Sequence, residues 1–289
     1  MPIPVHCRTL NVEGVDVFYR EAGHPGRPAI VLLHGFPSSS HMFRGLIPLL
    51  ADRYRVIAPD YPGFGNSAMP PAETFGYTFE RLSLVVERFL EALGIPRYIL
   101  YVHDYGGPVG FRIAVRRPER ILGFVVQNAV ANIEGLGEPF DVFKALWADP
   151  SPANIAAFAR LLTFPFTKRQ YLEGVCQPAI VGPDGYSMDQ FFLNRPGSAA
   201  IQLALGYDYR TNVARYPEWQ RYMRVYQPPM IIAWGRNDFN FTLEGAYAYK
   251  RELPRAELHL LCGGHFLLEE ASVTVAALIK RFFGRAYGF

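Results

Sequence analysis

The chain has 289 residues, half of them hydrophobic, with 22 Phe, 17 Tyr and a net charge of +3. This fits one α/β domain with an insertion, a large core and enough aromatic residues to line a pocket. The weak, scattered charge gives no case for nucleic acid or an acidic membrane surface, and no apolar run approaches a membrane span.

The N-terminal Met-Pro-Ile-Pro-Val-His lacks the basic and apolar regions of a secretory signal. Val15 to Arg20 alternates as a strand does, and Gly23 to Pro28 is a turn. Ala29 to Leu33 is a continuous apolar run, expected of a central parallel strand. It ends in His34-Gly35-Phe36-Pro37. Tyr54 to Ala58 is a second buried strand. Gly63-Phe64-Gly65-Asn66-Ser67-Ala68 follows it and fits a loose dinucleotide pattern. Pro70-Pro71 come next, however, so no helix begins there to hold a pyrophosphate. Glu80 to Leu93 has helical spacing and is closed by Gly94. Tyr98 to Val102 is a strand that stops at His103-Asp104, and Tyr105-Gly106-Gly107 opens a helix running to about Arg117. Gly123 to Gln127 is the next strand. From about 131 to 217 the alternation gives way to helices, prolines and aromatics. The segments Phe140 to Trp147, Asn154 to Leu162, Lys168 to Val175, Met188 to Leu193 and Gly197 to Gly206 read as helices. Strand Met230 to Trp234, helix Leu243 to Leu253, strand Glu257 to Leu261 and helix Leu267 to Phe283 complete the chain. The alternation implies a mostly parallel sheet flanked by helices. The expected domains are a core of 1–130 and 218–289, and a helical cap of 131–217. Cys7, Cys176 and Cys262 are odd in number and widely spaced, without metal or redox spacing. They are expected as free thiols in a cytoplasmic protein.

Chemistry in an open α/β sheet lies beyond the carboxyl ends of its strands. Three reactive groups stand there. Asp104 sits at the sharp strand-to-helix bend of a nucleophile elbow, with Gly106 small beside it and Val102 where a first glycine usually stands. A buried Asp capping a helix would look similar in isolation. Asp238 ends Trp234-Gly235-Arg236-Asn237-Asp238, and His265 follows Cys262-Gly263-Gly264. The order nucleophile, acid, histidine and the His34-Gly35 loop together make the constellation specific. Glu134, past the sixth strand, is a second candidate acid.

With these motifs the whole chain resembles the α/β-hydrolase family, within it the epoxide hydrolase and haloalkane dehalogenase branch. The resemblance implies an α/β-hydrolase fold with a cap between strands six and seven. It also implies a hydrolase acting on a small organic electrophile. A carboxylate displaces a leaving group at saturated carbon without needing a base, and the resulting ester is cleavable by water. Asp104 would be that nucleophile. His265 would be general base for water, oriented by Asp238. The N–H groups of Phe36 and Tyr105 would form the oxyanion hole. His34, His103, Trp147 and Tyr171 are expected to contact substrate. No cofactor or metal is implied, and the expected partner is a small molecule bound by a monomer or homodimer.

Haloalkane dehalogenases of this family carry Trp after the nucleophile and Trp or Asn after His-Gly. Tyr105 and Phe36 stand there instead. Nor is Tyr105 the Arg that grips a carboxylate in fluoroacetate dehalogenases. Tyr207-Asp208-Tyr209-Arg210-Thr211-Asn212 is similar to the ring-opening segment of epoxide hydrolases, with Tyr209 as the matching acid. A second cap tyrosine has no clear match; Tyr171 and Tyr186 are candidates. Epoxide hydrolysis is therefore expected, ahead of carbon–halogen hydrolysis or a non-catalytic ligand-binding relative.

Overall fold

A computed structural model describes residues 3–288. Eight strands, β1 (His6–Val12), β2 (Val15–Ala22), β3 (Ala29–Leu33), β4 (Arg55–Pro59), β5 (Tyr98–His103), β6 (Ile121–Gln127), β7 (Met230–Gly235) and β8 (Glu257–Leu261), form one sheet. Their spatial order is β1-β2-β4-β3-β5-β6-β7-β8. β1 and β2 run antiparallel to their neighbours. The other six are parallel. Every residue of β3, β5 and β7 is buried, because helices cover both faces. β1 was not foreseen from sequence. It is an exposed edge strand of mixed polarity, joined to β2 by Glu13-Gly14, both at positive φ as a two-residue hairpin turn requires.

The helices are α1 (Ile47–Leu50), α2 (Ala72–Phe75), α3 (Phe79–Ala92), α4 (Gly106–Arg116), α5 (Phe140–Ala148), α6 (Pro152–Ala159), α7 (Phe164–Leu172), α8 (Pro183–Leu193), α9 (Ser198–Asp208), α10 (Arg210–Tyr226), α11 (Leu243–Glu252) and α12 (Leu268–Tyr287). Leu82, Phe89, Phe111 and Tyr249 cover one face of the sheet, from α3, α4 and α11. Ile47, Leu50, Ile279 and Phe283 cover the other, from α1 and α12.

α5 to α9 are inserted between β6 and β7. The expected boundary at 217 falls inside α10. The first turn of this helix follows the cap. Its second half packs on the core, with Trp219 stacked on Phe111 at 5.5 Å between ring centres. Pro217 lies within this helix, and a proline there reads from sequence as a break.

Two of the three expected free thiols are in fact joined: Cys176 and Cys262 form a disulfide across 86 positions of sequence. Cys7 alone is free and exposed. The pair was illegible in sequence because only the folding of the cap over the core brings Cys176 to the loop before His265. The nearby contacts are close as well. Asn237 Nδ2 donates to the Gly174 carbonyl at 2.8 Å, and Glu270 accepts from the N–H groups of Cys176 and Gln177 at 2.9 and 2.6 Å.

The glycine-rich run 63–68 is a structural turn. Asp60 accepts from the N–H groups of Ser40 at 2.7 Å and Asn66 at 2.8 Å. Gly65 has φ +48°, and a Cβ there would lie 2.1 Å from Asp60 Oδ2. The glycine lets the loop close on that carboxylate.

Candidate active site

Asp104 follows β5 with φ +48°, a conformation few non-glycine residues adopt. The surrounding glycines make the bend possible. A Cβ on Gly35 would meet that of Asp104 at 2.3 Å, and one on Gly106 would meet the Leu33 carbonyl oxygen at 2.2 Å. Val102, at a position where glycine is usual, fits because Gly110 faces it: a Cβ at Gly110 would lie 2.6 Å from Val102 Cγ1. The Phe36 N–H donates to Asp104 Oδ1 at 2.5 Å, and the Tyr105 N–H also bonds the carboxylate. The two N–H groups expected of an oxyanion hole therefore already grip the Asp104 carboxylate.

His265 and Asp238 come from the ends of β8 and β7. His265 Nδ1 meets Asp238 Oδ2 at 2.9 Å. Asp238 Oδ1 accepts from the Asn240 N–H at 2.8 Å. His265 Nε2 is buried and has no hydrogen-bond partner within the protein, so it is the nitrogen available to a water. Gln127, at the end of β6, donates to the His265 carbonyl at 3.2 Å and accepts from the Tyr101 hydroxyl, which fixes the backbone of the histidine loop.

The electrostatics follow from burial and these partners. Burial pushes the Asp104 pKa up to about 6, against the opposing pull of His265 and the two N–H groups. Burial works against a charged His265, but the charge and hydrogen bond of Asp238, with the charge of Asp104, outweigh it and raise its pKa. Asp104 and His265 are thus near enough for each to sense the other's charge.

Tyr209 is fully buried at the junction of α9 and α10. Its ring packs against Phe79 at 5.5 Å, Phe140 at 5.1 Å and Tyr105 at 5.9 Å, and lies parallel to Trp147 at 6.1 Å. Its hydroxyl lies 3.4 Å from that of Tyr216. Burial pushes the Tyr209 pKa well above 10, and the neighbouring Tyr216 and Asp104 add to the rise. The phenol is therefore neutral.

The four residues expected to contact substrate have other partners. His34 accepts the Tyr61 N–H at Nε2 and meets the Gly35 carbonyl at Nδ1, both at 3.1 Å. With both nitrogens engaged and burial lowering its pKa to about 3, it braces the loop as a neutral ring. His103 meets the Gln127 carbonyl at 3.2 Å and packs its ring 4.6 Å from that of His265. Burial, then the nearby His265, drives its pKa well down, so it packs beside His265 uncharged. Trp147 donates its indole N–H to the Gly206 carbonyl at 2.7 Å. Tyr171 donates to the buried Asp189 at 2.6 Å and stacks on Phe266 at 3.9 Å. Glu134 is outside the constellation, half exposed and paired with Arg251 at 2.5 Å. Tyr186 packs on Tyr171 and Phe164 in the cap.

Two residues were missed. Asn128, directly after β6, binds Asp238; the strand-end rule that picks out Asp104 would have flagged it. Tyr216 lies seven positions after Tyr209, two turns along one helix face. No helix was expected over 210–226 from sequence, so this spacing had no helix face to fall on. Among the described residues no group of three or more His, Cys, Asp or Glu could hold a metal ion, and no helix is long and apolar enough to cross a membrane.

Residues 28–272 match the family model described as alpha/beta hydrolase fold. The chain is 39% identical over 287 residues to an uncharacterized hydrolase of Saccharomyces cerevisiae, covering 94% of each chain. It is 29% identical to haloalkane dehalogenase 2 of Mycobacterium tuberculosis, over 89% of this chain and 88% of that one. Among solved structures, the epoxide hydrolase CorEH without ligand superposes with a TM-score of 0.77, at 22% identity, over 98% of this chain and all of that one. That last likeness concerns the fold alone.

Proposed function

We propose that this chain, which belongs to the α/β-hydrolase fold family, hydrolyses small epoxides to vicinal diols through an ester on Asp104. The carboxylate attacks a ring carbon while Tyr209 gives its proton to the departing oxygen. The ester carbonyl then sits against the N–H groups of Phe36 and Tyr105. His265 takes a proton from water as the water oxygen adds to the ester carbonyl. The tetrahedral intermediate breaks, the departing alkoxide takes the proton left on the Asp104 carboxyl to complete the diol, and the proton on His265 returns to the Tyr209 phenolate. Asp238 holds the His265 tautomer and supports its charge. Asp104 and water are the two nucleophiles, so the cycle calls for no cofactor. The working form is a monomer or homodimer with a small molecule as its partner. A cytoplasmic location would expose the Cys176–Cys262 pair to a reducing pool.

The observation that carries the epoxide reading is the placement of Tyr209, a neutral phenol boxed by aromatic rings beside Tyr105 and paired with Tyr216. An alkoxide leaving group is basic and gains from such an acid; a halide gains from weak donors such as indole N–H groups. Two of the three indole N–H groups are already engaged by backbone carbonyls. Trp147 and Trp234 donate to the carbonyls of Gly206 and Phe241, and Trp219 packs under Phe111.

The test is a panel pairing terminal epoxides with bromoalkanes, scored for diol and bromide, followed by Tyr209→Phe. The substitution removes one hydroxyl and keeps the ring. Ester formation from epoxides should fall at least about tenfold, within the range one positioned acid contributes, while any bromoalkane reaction stays within about threefold. Bromide without diol favours the dehalogenase reading. Saturable binding without turnover of either class favours a ligand-binding relative.

A further inference from the structure

The elbow helix α4 carries a buried charge that the proposed cycle does not use. Arg112 is 2% exposed. Its guanidinium donates to Glu80 at 3.0 Å, to Thr211 Oγ1 at 2.8 Å and to Asn212 Oδ1 at 2.8 Å. Glu80 is a shared and partly exposed partner that also pairs with Arg116 and Arg215. Thr211 and Asn212 lie in the first turn of α10, two and three residues after Tyr209. The Asn212 N–H in turn donates to the Tyr209 carbonyl at 2.9 Å. On the other side of Tyr209, the Asp208 carboxylate accepts the Phe79 N–H at 2.8 Å, at the start of α3. The junction that carries the phenol is therefore tied on both sides to the core, and one tie runs to the helix that begins two residues after Asp104.

A buried ion pair is a weak source of stability, because apolar replacements of similar volume are often as stable. What a guanidinium supplies better than an apolar group is direction: a planar fork that fixes two acceptors at once. We propose that Arg112 is a positioning residue, which holds Thr211 and Asn212 so that the Tyr209 hydroxyl stays in register with Asp104. The proposal rests on the reading of Tyr209 as the proton donor.

The test is a double-mutant cycle on single-turnover ester formation, using the terminal epoxide that the parent enzyme turns over fastest. The variants are Arg112→Gln, Tyr209→Phe and their combination. Arg112→Gln should slow ester formation at least about tenfold, with diol binding within about twofold of the parent. In the Tyr209→Phe background it should add less than about twofold, as expected of residues acting through one group. Asn212→Ala leaves the Arg112–Glu80 pair in place and should show the same non-additivity, which keeps the test available if Arg112→Gln does not fold. If the losses multiply while Tyr209→Phe alone slows the reaction, the positioning role is wrong and the donor reading stands. Should Tyr209→Phe leave ester formation unchanged, the donor reading fails and the proposal falls with it.

Discussion

Asn128 donates its side-chain amide to Asp238 Oδ2 at 2.8 Å, the same oxygen that His265 Nδ1 meets at 2.9 Å. Its own Oδ1 accepts the Gly235 N–H at 2.8 Å, and its backbone has a φ of +42°. One residue at the end of β6 thus aims the acid and braces the strand end that carries it. Asn128→Gly keeps the backbone region accessible and removes the amide. A hydrogen bond to a charged group contributes about 1.5–3 kcal/mol. Ester hydrolysis should therefore slow about tenfold to hundredfold, with ester formation within a few-fold of the parent. His265→Gln should slow hydrolysis by several orders of magnitude and leave a stable adduct with the mass of enzyme plus substrate. Equal losses in both steps for Asn128→Gly would mean that the residue acts on the fold of the site rather than on the Asp238–His265 pair.

The two steps should depend on pH differently. In the proposed cycle Asp104 must be a carboxylate to attack, and burial places its pKa at about 6. Single-turnover ester formation should rise with pH through that value and fall about tenfold per unit below it. His265 must be neutral to take a proton from water, and its pKa in the free protein is raised by Asp238 and Asp104 against burial. Esterification removes the Asp104 charge, and with it one of the influences holding the His265 pKa up. Ester hydrolysis should therefore titrate at lower pH than His265 does in the free protein, as followed by NMR. An ester-formation profile flat from pH 5 to 8 would contradict the assignment of Asp104.

Reduction of Cys176–Cys262 should weaken the fold without abolishing it. The bridge closes a loop across 86 positions, and removing a native disulfide of this kind typically costs about 2–4 kcal/mol. The denaturant midpoint of the Cys176→Ser protein should fall accordingly, and reductant should shift the parent protein to match. Because the bridge lies three residues before His265, hydrolysis should suffer more than ester formation. Identical midpoints with and without reductant would show that the bridge does not form in solution.

The sheet was legible in sequence wherever strands were buried on both faces. β3 and β8 match their expected bounds, and β5, β6 and β7 differ only at their ends. In β3, β5 and β7, buried throughout, a short apolar run bounded by turn signals carries the reading, whereas β8 is only half-buried and includes Glu257 and His259. β1 was not legible because an exposed edge strand needs no apolar pattern. The residues at strand ends, Asp104, Asp238 and His265, could be found from local signals, since each directly follows a strand or a glycine turn. Partnerships across the cap could not. Arg112 with Asn212 and Cys176 with Cys262 depend on how the cap helices cross the core, which no spacing in the chain encodes. The protein partners of His34, His103, Trp147 and Tyr171 were illegible for a related reason. Sequence shows that a residue has a polar group near the site, but not which backbone carbonyl, N–H or buried carboxylate already holds it.

Oxygen atoms report directly on whether Asp104 is the covalent nucleophile. In a single turnover with enzyme in excess in water enriched in ¹⁸O, the oxygen that ends on the product comes from the carboxylate, and the label enters the enzyme when water adds to the ester carbonyl. Mass spectrometry of the tryptic peptide spanning Tyr98 to Arg112 should show one heavy oxygen on Asp104, with unlabelled diol as the first product. Heavy oxygen in the first-turnover diol, with Asp104 unlabelled, would mean that water attacks the substrate directly and would contradict the account.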